Sequence, residues 1–275
     1  MTTLPAPATS VAATAFRDGA VTAISRAVPE EAAVALSYDR VGYAVMMATP
    51  SDLEDFAVGF SLSEAIVDRP AEILDCAIVA VEQGIECRMR LTHDVSARLA
   101  QRRRHLAGAL GCGLCGLESL AEANRAIPRV ESSLSVSAPA LMRAMREMAA
   151  RQTLNRQTRA VHAAGFFDPA DGSVLVREDV GRHNALDKVI GGLARARRPG
   201  GSGAILLTSR VSIELIQKTA LLGAPILIAV SVPTAHALRA AEAAGITLAA
   251  VARDDGFEVF THPSRIHLGA ETHVA

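Results

Sequence analysis

Gly203-Ala-Ile-Leu-Leu-Thr208, Ala224-Pro-Ile-Leu-Ile-Ala-Val-Ser231 and Gly245-Ile-Thr-Leu-Ala-Ala-Val251 begin about 21 residues apart and are apolar almost throughout. Runs of this kind suit strands buried on both faces, the habit of parallel sheets. Residues 212–222 and 234–244, which lie between them, have the spacing of amphipathic helices. Strand and helix alternating at this period imply parallel strands with right-handed crossovers. Upstream, Val174–Arg177 reads as a short strand and Gly181–Arg195 as a helix that Asp179 is placed to cap. Residues 136–268 are therefore expected to form an α/β domain with a mixed, largely parallel sheet.

The first half has another rhythm and is expected to form a smaller α+β domain over 19–135. Val34–Tyr38 and Tyr43–Met47 read as a hairpin across Asp39-Arg40-Val41-Gly42. Ser51-Asp-Leu-Glu54 has the pattern of a capping box, with Leu53, Phe56, Ala57, Phe60 and Leu62 as the apolar stripe of the helix it opens. Ala77–Glu82 and Ile85–Leu91 flank a tight turn at Gln83-Gly84, and a polar helix follows over His93–Arg104. Leu117–Ala126 has helical spacing, and Pro128–Pro139 reads as a linker. Residues 1–18 and 269–275 are expected to be tails, the first flexible.

Composition narrows the classes. Half of the 275 residues are hydrophobic and 21% are charged, which predicts a packed core. A formal net charge of −1 argues against a nucleic-acid binder held by bulk positive charge. Four cysteines are too few for a disulfide scaffold and suit a reducing compartment. The longest apolar runs, such as 224–232, fall far short of the ~20 residues a membrane helix needs. Residues 1–15 lack the basic start and apolar middle of a secretory signal. The expectation is a soluble cytoplasmic protein with no membrane contact.

Three segments carry chemistry. Gly108-Ala-Leu-Gly-Cys-Gly-Leu-Cys-Gly116 places Cys112 and Cys115 in a glycine-rich loop. A Cys-x-x-Cys pair supports a dithiol couple, half of a zinc site, or a thiolate that carries a group. Zinc lacks further ligands, because Cys76 and Cys87 lie in alternating strand segments and read as core. A zinc-deaminase arrangement around His162 fails twice: Ala164 stands where its glutamate would, and the cysteine pair precedes the histidine. Cys115-Gly116 leads into helical spacing, which keeps disulfide exchange open, while the glycines favour a loop that carries a cargo.

The second segment is Glu178-Asp-Val-Gly-Arg-His-Asn-Ala-Leu-Asp-Lys188. Arg182, His183, Asn184 and Lys188 stand where a helix begins, a ready anion site, though capping and solvated charge explain the pattern equally well. The third is Thr208-Ser-Arg-Val-Ser212, with Ser209 and Arg210 at the carboxyl end of a strand, where open α/β sheets bind ligands. Of 28 basic residues only Lys188 and Lys218 are lysine, and both fall on elements expected to face phosphate. His262 reads as a structural hydrogen-bonder and the Met142, Met145, Met148 stripe as core.

These motifs, together with Ser209-Arg-Val-Ser, Glu214, Gln217-Lys218 and Thr261-His-Pro263, resemble in this order the FdhD family over about residues 28–267. The resemblance implies a sulfurtransferase required for formate dehydrogenase activity. It implies that Cys112 carries persulfide sulfur, with Cys115 assisting, from a cysteine desulfurase to a molybdenum (or tungsten) bis-guanine-dinucleotide cofactor. Transfer would precede or accompany insertion of that cofactor into the catalytic subunit of formate dehydrogenase. The family's cofactor-binding segment corresponds to Val251, Ala252, Arg253, Asp254, Asp255 and Gly256, and guanine nucleotides would act as cofactor mimics. His162, Arg182, His183, Lys188, Ser209 and Arg210 complete the expected contacts. A cytidine-deaminase-like C-terminal domain and a homodimer are also implied.

The sequence departs from the family pattern in three places. Arg159 replaces a glycine ahead of the His-Ala pair, where it would narrow a pocket or add a phosphate contact. Ile213 replaces an aromatic. Asp254 and Asp255 make the cofactor segment acidic, so base contact is expected there and phosphate contact at Arg182, Lys188 or Arg210. Two rival classes make different demands: a cofactor chaperone is indifferent to both cysteines, and a dithiol oxidoreductase needs both equally.

Overall fold

The computed structural model describes residues 3–107 and 127–269, the side chains of 102–107 excepted. The chain opens with β1 (Ala8–Arg17) paired antiparallel along its whole length with β2 (Ala20–Pro29). Asp18 and Gly19 turn the hairpin with φ of 50° and 79°, the backbone a two-residue connection needs. This corrects the flexible tail expected over 1–18. Thr and Val supply strand preference there, but alanines interrupt the apolar alternation that would have announced a strand.

A four-stranded sheet follows, ordered β4 (Val41–Ala48), β3 (Ala32–Tyr38), β6 (Gly84–Leu91), β5 (Ile73–Val81), with β3 and β6 parallel. The β3–β4 turn is only Asp39-Arg40, both at positive φ. Helices α1 (Leu53–Ser63) and α2 (His93–Ala107) belong to this half. The capping box expected at Ser51 does not form: Asp52 is the N-cap, in the left-handed region, with no side-chain cap bond. Val34, Leu36, Tyr38, Ile85, Cys87 and Met89 pack with Phe56 and Phe60 in one buried cluster.

Residues 128–135 carry no regular element, but the expected linker ends earlier than Pro139. Val130 is buried and its N–H donates to the Ala244 carbonyl. Then come β7 (Val136–Ser137) and α3 (Ala138–Arg151), which Ser137 caps through its hydroxyl. Helix α4 (Thr153–Thr158) precedes β8 (His162–Phe167), β9 (Val174–Asp179) and α5 (Arg182–Arg195). The remaining elements are β10 (Ala204–Leu207), α6 (Ile213–Leu222), β11 (Ile226–Ala229), α7 (Ala235–Ala244), β12 (Thr247–Arg253), β13 (Gly256–Val259) and β14 (Ile266–His267).

Six strands form one mixed sheet in the order β13-β12-β11-β10-β8-β9. β10, β11 and β12 run parallel, as the sequence period requires, while β8, β9 and β13 are antiparallel to their neighbours. Side-chain alternation feeds two cores. Ile205, Leu207, Leu227 and Leu248 pack with residues of α5, α6 and α7, and Leu206, Ile226, Ile228 and Ala249 with residues of α3. Each fully buried aliphatic side chain is worth about 1.5–3 kcal/mol.

The halves meet where α1 crosses α5. A Cβ on Gly59 would lie 1.7 Å from the Asp187 carbonyl oxygen, and one on Gly191 1.8 Å from that of Asp55. The two helices therefore touch backbone to backbone, a contact only glycine permits. Arg177 and Arg195 both pair with the buried Asp55 carboxylate beside this crossing.

Candidate functional site

Because β8 is antiparallel to β10, its first residue, His162, stands at the carboxyl ends of the parallel strands. β9 returns beside it, pairing Asp179 with His162, and α5 starts three residues later. Arg182 and His183 thus join the loop after β10 at the edge where open α/β sheets bind ligands.

Asp179 organises this edge from below the surface and is 0% exposed. Its Oδ1 accepts from the Gly181 N–H at 2.7 Å and from Asn184 Nδ2 at 3.0 Å. Its Oδ2 accepts from the Thr49 N–H at 3.0 Å and lies 2.7 Å from Lys188 Nζ. Lys188 also donates to the carbonyls of Thr49 at 3.0 Å and Glu178 at 3.4 Å. The Val180 N–H donates to Thr49 Oγ1, and Asn184 Nδ2 to the Met47 carbonyl. Glu178 turns the other way and accepts from the N–H groups of Leu154 and Asn155. Two expectations are corrected here. Asp179 ties α5 to the end of β4 and is not the helix cap, a position held by Gly181. Lys188 is wholly buried, and its ammonium is used up by this junction, so it does not face phosphate.

Lys218 is corrected in the same way. It is 5% exposed and donates to Asp187, Glu64 and Ser63 at 2.8–3.1 Å. Burial pulls its ammonium down, but Asp187 and Glu64 outweigh that and hold it above its ordinary value. Lys218 forms part of the wall of a cavity of about 910 Å³ between the far ends of α5 and α6. The cavity's Arg195 and Arg198 are likewise committed, to Asp55 and Asp168.

The crevice has freer groups. His183 Nε2 lies 3.5 Å from Ser212 Oγ and 3.9 Å from Glu214 Oε2. Burial, with the charges of Arg182 and Lys218, pushes this imidazole down to about 4, so it is neutral at physiological pH. Burial and Arg182 also push His162 down. Burial raises the Glu214 carboxyl, but hydrogen bonds from Ser212 and from its own backbone N–H, with His183 and Arg182 nearby, hold it below its ordinary value. Among the described residues, Arg182 Nε and Glu214 Oε2 are buried atoms without a hydrogen-bond partner. Groups left in this state cost about 1–3 kcal/mol each. Ser209 is buried with its hydroxyl on the Arg210 carbonyl, and Arg210 is exposed.

Val251–Gly256 leaves the same edge two strands away, about 10 Å from β10 at the usual strand spacing. Val251 has φ of 56°, beside a register shift between Ala250 and Arg253. A β-branched residue in the left-handed region is strained by about 1–3 kcal/mol, and such strain gathers at functional sites. Arg253 donates to the carbonyls of Ala252 and Val230, while Asp254 and Asp255 are exposed in the turn to β13. Arg159 is exposed at the left-handed C-cap of α4 with φ of 58°, which explains why a glycine suits that position.

Cys112 and Cys115 lie outside the described residues, as does the helix expected over 117–126. Cys76 and Cys87 are free and sit in the β5–β6 pair, and burial pushes their thiols up to about 11 and about 12. Among the described residues no group of three or more His, Cys, Asp and Glu side chains is placed to hold a metal, and no helix is long and apolar enough to cross a membrane. His262 donates its Nε2–H to the Glu242 carbonyl, 2.9 Å away. Sequence reasoning did not single out Glu214 or Ser212 as site residues, although both follow directly on the Ser209-Arg210 strand end. Nothing local in the sequence pointed to Thr49.

Fold and edge together define a mixed α/β protein with polar side chains gathered at the carboxyl ends of three parallel strands. The FdhD/NarQ family pattern matches residues 29–267. A protein of Agrobacterium fabrum named sulfur carrier protein FdhD is 49% identical over 259 residues, 94% of this chain and 96% of its own length. One of the same name from Brucella abortus is 51% identical over 243 residues, 88% of this chain and 90% of its own. The crystal structure of a protein from Desulfotalea psychrophila, described as a formate dehydrogenase accessory protein, superposes with a TM-score of 0.76 at 24% identity, covering 94% of this chain and 99% of that one. The chain belongs to the FdhD/NarQ family.

Proposed function

We propose that this chain is a sulfur carrier that serves formate dehydrogenase. In this reading it takes sulfur from a cysteine desulfurase and delivers it to a molybdenum bis-guanine-dinucleotide cofactor, its acceptor substrate. The observation that carries the reading is near-50% identity, over most of the chain, to relatives named sulfur carrier protein FdhD. Cys112 performs the first step. Its thiolate attacks the outer sulfur of the donor persulfide, the donor S–S bond breaks, and the donor leaves as a thiolate while Cys112 gains the terminal sulfur. Cys115 assists from three residues away.

The strand-end crevice suits the acceptor, because its unpartnered buried donor and acceptor match a ligand rich in both. Arg182, His183, His162, Ser209, Arg210 and Val251–Gly256 would hold it, with phosphate at Arg182 and Arg210. The reading includes two domains, over 19–135 and 136–268, the second built as a cytidine-deaminase-like scaffold. It also includes a cytoplasmic homodimer acting as a sulfurtransferase on the catalytic subunit of formate dehydrogenase before or during cofactor insertion. The test is co-expression of that subunit with the wild-type chain or with Cys112→Ala. The variant is expected to leave formate dehydrogenase inactive, and normal activation by it would overturn the assignment.

A further inference from the structure

The cavity of about 910 Å³ lies away from the strand-end edge. Helix α5 carries Arg182 in its first turn and Arg195 in its last, so its 14 residues set the two about 20 Å apart. Leu62, Ile190, Leu221 and Leu222 give the cavity apolar walls from α1, α5 and α6. Its size falls in the range of small-molecule pockets, which combine such walls with a few polar groups.

Among the described residues its lining holds four cations and one acid. Three of the cations are committed. Arg195 pairs with Asp55 at 2.6 Å, Arg198 with Asp168 at 2.7 Å, and Lys218 with Glu64 at 2.8 Å and Asp187 at 2.9 Å. The acid, Asp68, is held by Arg98 at 3.0 Å. Arg197 is exposed at the rim and, among the described residues, its side chain has no ion pair or hydrogen bond.

Backbone geometry also sets Arg197 apart. Its N–H donates to the Ala194 carbonyl, and the Arg198 N–H donates to that of Leu193. α6 and α7 close with the same pair of bonds, and their left-handed residues are Gly223 and Gly245. In α5 that residue is Arg197, with φ of 55°, a conformation that a Cβ disfavours. An arginine thus stands where glycine fits best, at the mouth of an apolar cavity.

We propose that this cavity binds a small amphipathic anion, its apolar body on Leu62, Ile190, Leu221 and Leu222 and its carboxylate or phosphate head on Arg197. One unpaired guanidinium matches one anionic head. A cationic head would meet Arg197 as a like charge, and a second anionic head would find only cations already held by acids. The proposal is independent of the sulfur-carrier reading and of the acceptor edge.

The test is calorimetric titration of the full-length chain with dodecanoate, dodecyl phosphate and dodecyltrimethylammonium, below micelle-forming concentrations. Acetate and inorganic phosphate serve as heads without bodies. At least one dodecyl anion is expected to bind tenfold or more tighter than the dodecyl cation, acetate and inorganic phosphate. The tighter anion assigns the head group. Arg197→Gly should weaken that anion by about tenfold or more yet melt no lower than wild type, because glycine suits the left-handed cap. Leu221→Glu, a change on a partly exposed wall residue, should weaken it as much. Unchanged binding by Arg197→Gly overturns the proposal, as does equal binding of dodecyl anion and cation, or no binding at all. Equal binding of the bare and the dodecyl heads overturns it too. If sedimentation shows a dimer that Arg197→Glu dissociates, the cavity belongs to an interface between copies and the proposal fails.

Discussion

Lys188 holds three elements at once, through Asp179 on β9, the Thr49 backbone after β4, and its own place on α5. Replacing it with methionine would leave the Asp179 carboxylate buried with its N–H donors but without its cation. Breaking such a pair from one side costs about 3–5 kcal/mol. Urea denaturation of Lys188→Met should therefore show a loss of that size, and a loss below about 1 kcal/mol would contradict the junction described. Sequence alone marked the density of polar residues over 178–188 but not their direction. Asp179 finds Thr49 across 130 residues, and Lys218 finds Glu64 across 154. No local spacing encodes either pairing, so both lysines were expected to face a ligand that they do not face. Arg182 and His183 open a helix beside strand ends, a local feature that the sequence pattern displays. Glu214 went unselected because its nearness to His183 comes from the fold and not from local spacing.

At the level of elements, the parallel strands and their crossover helices were readable because burial on two faces leaves continuous apolar runs. The β3–β4 and β5–β6 hairpins were readable because their turns are short and their strands alternate. The β1–β2 hairpin was not, since its alanine-rich strands are exposed along most of their length. Equally hidden was the α1–α5 crossing, which depends on Gly59 and Gly191 meeting across helices from opposite halves of the chain. Gly191→Ala would press a methyl group against the Asp55 carbonyl, which cannot yield without parting the helices. The expected cost is about 1–3 kcal/mol or more. Gly192→Ala, whose nearest neighbours are side chains at 3.2 Å, should cost clearly less. Thermal unfolding of the two variants side by side checks the order, and equal stability would count against the crossing as drawn.

Across the whole molecule, one sheet edge gathers His162, the start of α5, the loop after β10 and the strained turn-out at Val251. The Asp179–Lys188 junction ties that edge to the end of β4, and the glycine crossing joins the two halves behind it. Among the described residues, the four-stranded half supports that edge through the backbone and hydroxyl of Thr49 and the carbonyl of Met47. The carrier chemistry itself rests on Cys112. Its most direct test is peptide mass spectrometry of wild type, Cys112→Ala and Cys115→Ala after incubation with a cysteine desulfurase and cysteine. The account predicts one added sulfur on the Cys112 peptide of wild type, removed by reductant and absent from Cys112→Ala. No added sulfur with an active donor, whether or not a Cys112–Cys115 disulfide appears, would contradict it.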